Sequence, residues 1–392
     1  MEMIRMYNRK IVLWAAYLSL FVVGISMAVL GSALPSIIAK FGIGKQDAGS
    51  LFLMLSFGLL IGSMIFGPIV DRYGYKLLIA LAISLILLCL LAMALTPIFT
   101  LLQLVVFLLG FGAGVINGGS SAMVADISEG ERGAKLSLLG AFFSLGGFGV
   151  PFLLGILLRR FSYESILFGV GLSVSIPLLF FIIPVFPQPK HARGFPLKQG
   201  VGLLKKPVIL LVGFIAFFES GLEISVPGWS STFILEELSV PADKAVFYLS
   251  FYWLGMLGSR FLFSRLLKKI SPAKTFRFCL GSAISGSILM IFANDLFLTI
   301  FGLILLGIGL AMIFPILLGY IGDLYPDLSG TAFSIIFSIA LVGGMIIPYV
   351  IGLLSGPFGL RHTFVIIPVS LTVMSIIFVF ARMAMKKALT VQ

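Results

Sequence analysis

Twelve apolar runs of near-uniform length succeed one another along this 392-residue chain. They lie at about 11–34, 48–70, 77–96, 101–123, 134–157 and 165–185, and again at about 208–235, 245–264, 275–293, 297–321, 330–353 and 362–382. A run of ~20 residues crosses the ~30 Å hydrocarbon core of a bilayer as a helix, rising about 1.5 Å per residue. Strands are excluded, because an open sheet in lipid would leave backbone N–H and C=O groups unpaired. A soluble fold is excluded by composition: 60% of residues are hydrophobic, 11% are charged, and mean hydropathy is +1.17. Even a 300-residue globule buries only about 75% of its surface, too little to hide so much apolar area. The expected fold class is an all-α membrane protein with twelve transmembrane helices, the lipid bilayer being its first partner. The first run is of spanning length without a convincing cleavage site, so it reads as a helix rather than a signal peptide.

A net charge of +12 would suggest nucleic acid in a soluble protein. Here the charges sit between apolar runs and have a topological reading instead, so no nucleic-acid partner is expected. The N-terminus, the even-numbered connections and the C-terminus, with the run ends beside them (Lys135, Arg277 and Arg382), hold 20 of the 27 Lys and Arg residues. Lys40, Lys45, Arg159, Arg160, Lys244 and Arg361 lie in the odd-numbered connections, and Arg260 lies inside the eighth run. Both termini are therefore expected in the cytoplasm. The polar, Pro-rich segment 186–207 reads as a cytoplasmic linker between helical halves at 1–185 and 208–392. Cys89 and Cys279 fall in apolar runs and read as small buried hydrophobes, while two histidines in connecting segments make no metal site.

The halves repeat. A shift of 197 residues lays Gly110 on Gly307, Gly112 on Gly309, Asp126 on Asp323, Gly146 on Gly343, Pro151 on Pro348 and Gly155 on Gly352. The offset spans an even number of helices, so the two bundles share one topology and are pseudo-symmetric, the parallel repeat found in some transporters.

Inside the seventh run stand Glu219 and Glu223, four residues apart on one helical face. A charged side chain at bilayer depth costs roughly 2.5–3.5 kcal/mol on insertion scales, so packing alone does not explain two of them. Entering at about Val208, Glu219 lies roughly 17 Å in, near the midplane, with Glu223 about 6 Å further. Two carboxylates this close in a low-dielectric site do not both ionise easily, so one can take up and release a proton. Left ionised, the pair would suit Na⁺. The competing reading leaves one Glu neutral and hydrogen-bonded to a neighbouring helix. Pro227 and Gly228 are expected to weaken the helix just beyond.

Solute contacts are sought among polar and aromatic groups at similar depth. Asn117 either hydrogen-bonds a solute or, like Ser120 and Ser121, ties helices together. Ser26 on the first helix is a weaker candidate, and Phe218 beside Glu219 is another. Trp229 reads equally as a solute platform or an interfacial anchor. Arg260 is expected to snorkel to the cytoplasmic end of its helix as a latch or anchor.

The connection after the second run reads Gly67-Pro68-Ile69-Val70-Asp71-Arg72-Tyr73-Gly74-Tyr75-Lys76. It resembles the G-x-x-x-D-R-x-G-R-[KR] signature of the major facilitator superfamily, departing at Tyr75, where the family has a basic residue. The resemblance implies that this turn latches the cytoplasmic side: Asp71 would face the eleventh helix near Gly330, Arg72 would reach Asp126, and Asp323 would meet Lys269 or Arg265. Gly67, Gly74 and Lys76 complete the latch. More narrowly, Gly221-Leu222-Glu223-Ile224-Ser225-Val226-Pro227-Gly228-Trp229 and Tyr252-Trp253-Leu254-Gly255-Met256-Leu257-Gly258-Ser259-Arg260 resemble the fucose:proton symporter and sodium–glucose transporter group. The first run lacks the acid that proton-coupled sugar members carry, and the fourth has Asn117 in place of one.

The resemblance implies a monomeric secondary transporter in a bacterial inner membrane that moves a small solute, a sugar or polyol, by alternating access. Glu219 and Glu223 would bind the coupling ion, H⁺ or Na⁺, and no other cofactor is expected. The rival reading is proton-coupled export of a hydrophobic drug or lipid-like amphiphile. No phosphate-binding loop or nucleophile–base pair points to an enzyme or an ATP-driven pump.

Overall fold

The computed structural model describes residues 7–128, 132–186, 202–203, 205–266, 270–325 and 329–391, without the side chains at 67–68, 71–72, 132–134, 264–266, 329–330 and 387–391. Among the described residues there is no strand, and twelve helices are long and apolar enough to cross a membrane. In chain order they are α1 (Arg9–Phe41), α2 (Lys45–Tyr73), α3 (Tyr75–Leu95), α4 (Phe99–Ile127), α5 (Arg132–Leu157) and α6 (Tyr163–Ile182). The series continues with α7 (Pro207–Glu237), α8 (Ala242–Leu266), α9 (Pro272–Phe292), α10 (Leu296–Leu324), α11 (Ser329–Phe358) and α12, which opens with Leu360–Thr363 and runs on as Ile366–Val391.

Local chemistry sets the helix ends. The Asn8 side chain accepts from the Lys10 and Ile11 amides at the start of α1, and Pro207 opens α7, where a missing N–H does no harm. Gly74 separates α2 from α3 with φ at 79°, a backbone region that favours glycine, so the chain turns within one residue. Much of the expected linker, including Lys190, Arg193 and Lys198, lies outside the described residues.

The chain forms two compact units. The first gathers α1, most of α2, α3 to α6, and the opening of α8 at 241–250; the second holds α7, the rest of α8, α9 to α12, and the opening of α2 at 43–53. Helix packing within each unit follows the 197-residue shift. A Cβ on Gly110 of α4 would collide with the Leu55 carbonyl oxygen of α2, and one on Gly307 of α10 with the Tyr252 carbonyl oxygen of α8. These are the same two positions, one repeat apart. Glycine here lets backbones touch, as at other membrane helix crossings. Gly307→Ala is expected to destabilise by about 1–3 kcal/mol, because two helices must part to admit one methyl group; thermal unfolding in detergent checks it.

The repeat also pairs charges. Lys40 at the end of α1 meets Glu164 of α6 at 3.3 Å in the first unit. In the second, Glu237 at the end of α7 meets Arg361 of α12 at 3.3 Å. Each partner is 197 residues from its counterpart, with the charges exchanged. Lys45 pairs with Glu236 and Arg159 with Asp243, so these four basic residues of the odd-numbered connections each have an acid partner.

Candidate functional site

Glu219 and Glu223 flank the midpoint of the 31-residue α7. Glu219 is 1% exposed. Among the described residues no hydrogen bond or ion pair reaches its carboxylate, although the charges of Glu223 and Arg260 both act on it. Glu223 has a partner: Arg260 of α8 donates from Nη2 to its Oε1 at 3.4 Å, with both side chains largely buried. Tyr252, two turns before Arg260 on α8, is fully buried and stands in the field of Glu223, Glu219 and Arg260. Its hydroxyl has no hydrogen-bond partner among the described residues. Two acids, one guanidinium and one phenol thus gather inside the second unit.

Two expectations change here. Arg260 turns inward to Glu223 instead of snorkelling, because that carboxylate offers a closer counter-charge than the helix end. Pro227 does not interrupt α7, which runs unbroken to Glu237. Its missing N–H does leave the Glu223 carbonyl, four residues earlier, without its usual helical donor.

The solute candidates are distributed over both units. Asn117 on α4 is half-buried and makes no side-chain hydrogen bond among the described residues. Ser26 donates to the Val22 carbonyl of its own helix at 3.0 Å, and Ser120 shares a 2.6 Å hydrogen bond with Ser19 that ties α4 to α1. Trp229 is fully buried. Its indole N–H donates to the Pro348 carbonyl at 3.0 Å and its ring lies 5.6 Å from Phe52, so it packs α7 against α11 and offers no polar group to a solute. Phe218 is half-buried with its ring edge-on to Phe217 at 5.2 Å.

At the turn after α2, the surroundings of Gly67 and the side chains of Asp71 and Arg72 lie outside the described residues, as does Lys269. The described part is informative. Tyr75 donates from its hydroxyl to Asp126 Oδ2 at 2.7 Å, so the residue that departs from the family signature binds the acid assigned to Arg72. Lys76 donates to the Pro184 carbonyl at 2.8 Å, securing the chain just after α6. Gly74 makes the turn, and Asp323, the repeat partner of Asp126, is exposed. Tyr75→Phe is expected to lower stability by about 1 kcal/mol, the worth of one side-chain hydrogen bond. Tyr75→Arg, the family's residue type, should restore it in the same thermal-unfolding assay.

Sequence reasoning missed Tyr252 and misplaced Arg260. A signal existed, since residues eight apart fall on one helical face. An acid pair at mid-membrane calls for a cation at matching depth, and Arg260 lies deeper in its run than Arg277 and Arg382, which stand within three residues of a run's end.

Comparison with known proteins agrees with this architecture. The chain is 24% identical over 349 residues to the glucose/mannose transporter GlcP of Bacillus subtilis (strain 168), covering 86% of each. It is 23% identical over 357 residues to the quinolone resistance protein NorA of Staphylococcus aureus (strain COL), covering 88% of this chain and 90% of that one. A bacterial homologue of the human lysosomal transporter Spinster, solved in an inward-facing, unoccupied conformation, superposes with a TM-score of 0.76 at 15% identity, covering 97% of this chain and 98% of that one. The sequence family described as Major Facilitator Superfamily matches residues 16–296 and 214–390. Twelve apolar helices in a parallel repeat, with that match over nearly the whole length, identify this multi-pass integral membrane protein as a transporter of the Major Facilitator Superfamily.

Proposed function

We propose that the protein is a secondary active transporter carrying a small solute, a sugar or related polyol, by alternating access coupled to H⁺ or Na⁺. One observation carries this reading: Glu219, 1% exposed at the middle of a spanning helix, has no hydrogen bond or ion pair among the described residues, while its neighbour Glu223 has Arg260. A lone carboxylate at that depth needs a counter-charge, and a cation that binds and leaves supplies one. Glu223 holds the site's shape and shares in cation binding. Asn117, with side-chain hydrogen-bonding capacity to spare, contacts the solute, alongside Phe218. Similarity to a glucose/mannose transporter favours a sugar. The Lys/Arg asymmetry favours cytoplasmic termini in an inner membrane, with bundles at 1–185 and 208–392 joined by 186–207 in a monomer. Latching through Asp71, Arg72, Lys269 and Asp323 belongs to the same reading.

A second reading is export of a hydrophobic amphiphile. The commitment of Ser26 and Ser120 to protein partners favours it, as does similarity to a quinolone resistance protein. A sugar's hydroxyls each need a partner or cost affinity. Uptake into proteoliposomes separates the two. Radiolabelled D-glucose, D-mannose and a polyol are offered under an imposed pH or Na⁺ gradient, with ethidium efflux measured in parallel. Gradient-dependent sugar or polyol accumulation supports the first reading, and ethidium extrusion without it supports the second. Flux of neither class would overturn both.

A further inference from the structure

The coupling ion itself can be assigned from the surroundings of Glu219. Two carboxylates and one guanidinium leave a single negative charge to be matched, so one monovalent cation completes the cluster in either case. The difference lies in how each cation is held. A proton needs one carboxylate oxygen: hydronium at the aqueous end gives up H⁺, an O–H bond forms on Glu219, and water leaves. No separate cationic centre remains. A sodium ion stays a positive centre, requires several oxygen ligands, and would sit beside Arg260 where like charges repel with little screening.

Among the described side chains, the oxygens gathered in this cluster are those of the Glu219 and Glu223 carboxylates and the Tyr252 hydroxyl, and Pro227 deprives the Glu223 carbonyl of its helical donor. The Glu223 carboxylate is already engaged by Arg260. On the face of α11 that crosses α7 here stand Gly343 and Ile347, the latter against Gly221, neither with a side-chain oxygen. The charges acting on Glu219 are those of Glu223 and Arg260. Among the described side chains of α11 only Tyr349 is ionisable, α10 carries Tyr320 and Asp323, and the remaining ionisable groups among the described side chains of α8 are Asp243, Lys244 and Tyr248 near its start. On α12, Arg361 is tied to Glu237 at the far end of α7, His362 follows it, and Arg382 and Lys386 lie near the opposite end.

We infer that Glu219 carries a proton and that the Arg260–Glu223 pair keeps sodium out, with the Tyr252 hydroxyl as the third polar group of the site. This rests on the transport reading above but is tested without a solute, so the two can fail separately. Thermal unfolding of the purified full-length protein in detergent is followed by tryptophan fluorescence, in NaCl and in choline chloride at equal ionic strength, across a range of pH. In wild type the two salts should give the same Tm at every pH, and the pH dependence of Tm should be smaller in Glu219→Gln. Arg260→Gln, which removes the repelling charge, should gain a sodium-specific rise of roughly 2 °C or more. A saturable sodium-specific rise in wild type that Glu219→Gln abolishes would overturn the inference. So would an unchanged pH dependence in Glu219→Gln, or a folded Arg260→Gln still blind to sodium. Should Arg260→Gln not fold, Arg260→Lys keeps the charge and must stay blind to sodium; a response there counts against the inference equally.

Discussion

Glu219→Gln is expected to reduce gradient-driven solute accumulation to background while leaving solute exchange between equal compartments near the wild-type rate. Glutamine has the shape of a neutral glutamic acid and holds no exchangeable charge, so the site stays permanently in its neutralised form. The fold should not suffer, because the substitution removes a buried carboxylate that has no hydrogen bond or ion pair among the described residues. Its neighbour should behave in the opposite way. Glu223→Gln takes away the carboxylate that compensates Arg260, whose side chain is 14% exposed, and a loss of stability on the order of 3 kcal/mol is expected. Parallel assays of counterflow, gradient-driven uptake and thermal unfolding on both variants check this asymmetry. Full accumulation by Glu219→Gln, or identical stabilities for the two variants, would remove the basis for giving these acids different roles.

Arg361→Ala is expected to destabilise the second unit by about 2 kcal/mol, several times the effect of Lys40→Ala at the matching end of the repeat pair. Arg361 does more than meet Glu237. Its backbone N–H and Nε both donate to that carboxylate at 3.3 Å, and Nη1 reaches the carbonyls of Ile291 and Ala293 at 3.2 Å and Asn294 Oδ1 at 2.9 Å. One guanidinium therefore joins the end of α7, the α9–α10 connection and the start of α12. Lys40 makes one ion pair, its side chain 28% exposed, and approaches the Phe41 and Tyr163 rings at 5.4 and 5.5 Å, contacts each usually worth a fraction of a kcal/mol at such partly exposed sites. Arg361→Lys should not rescue, since an ammonium cannot donate in three fixed directions. Thermal unfolding of Arg361→Ala, Arg361→Lys and Lys40→Ala decides the matter; equal shifts for Arg361→Ala and Lys40→Ala would refute it.

The number of helices was legible in the sequence because the bilayer sets one length for every span, and hydropathy reads that length directly. The acid pair on α7 was legible for a related reason, since two charges stand out in an apolar run. Arg260 was not. Hydropathy gives depth along one helix but not which helix lies opposite, and the choice between the membrane surface and Glu223 depends on that neighbour. Trp229 shows the same limit: an indole near the end of an apolar run reads as an anchor or a platform until the Pro348 carbonyl appears beside it. At the turn after α2, the departure at Tyr75 was visible, but its outcome, a phenol supplying a donor to Asp126, needed the position of α4.

The exchanged charges at the repeat position bear on how such a chain assembles. The final helix leaves the ribosome last and must find its own seat although an older copy of that seat exists. Near Lys40 it would bring Arg361 against a like charge, whereas Glu237 draws it in. Opposite polarity at two otherwise equivalent positions thus acts as a key that admits each closing helix to one lock, and a duplicated protein that carries it is no longer free to shuffle its halves.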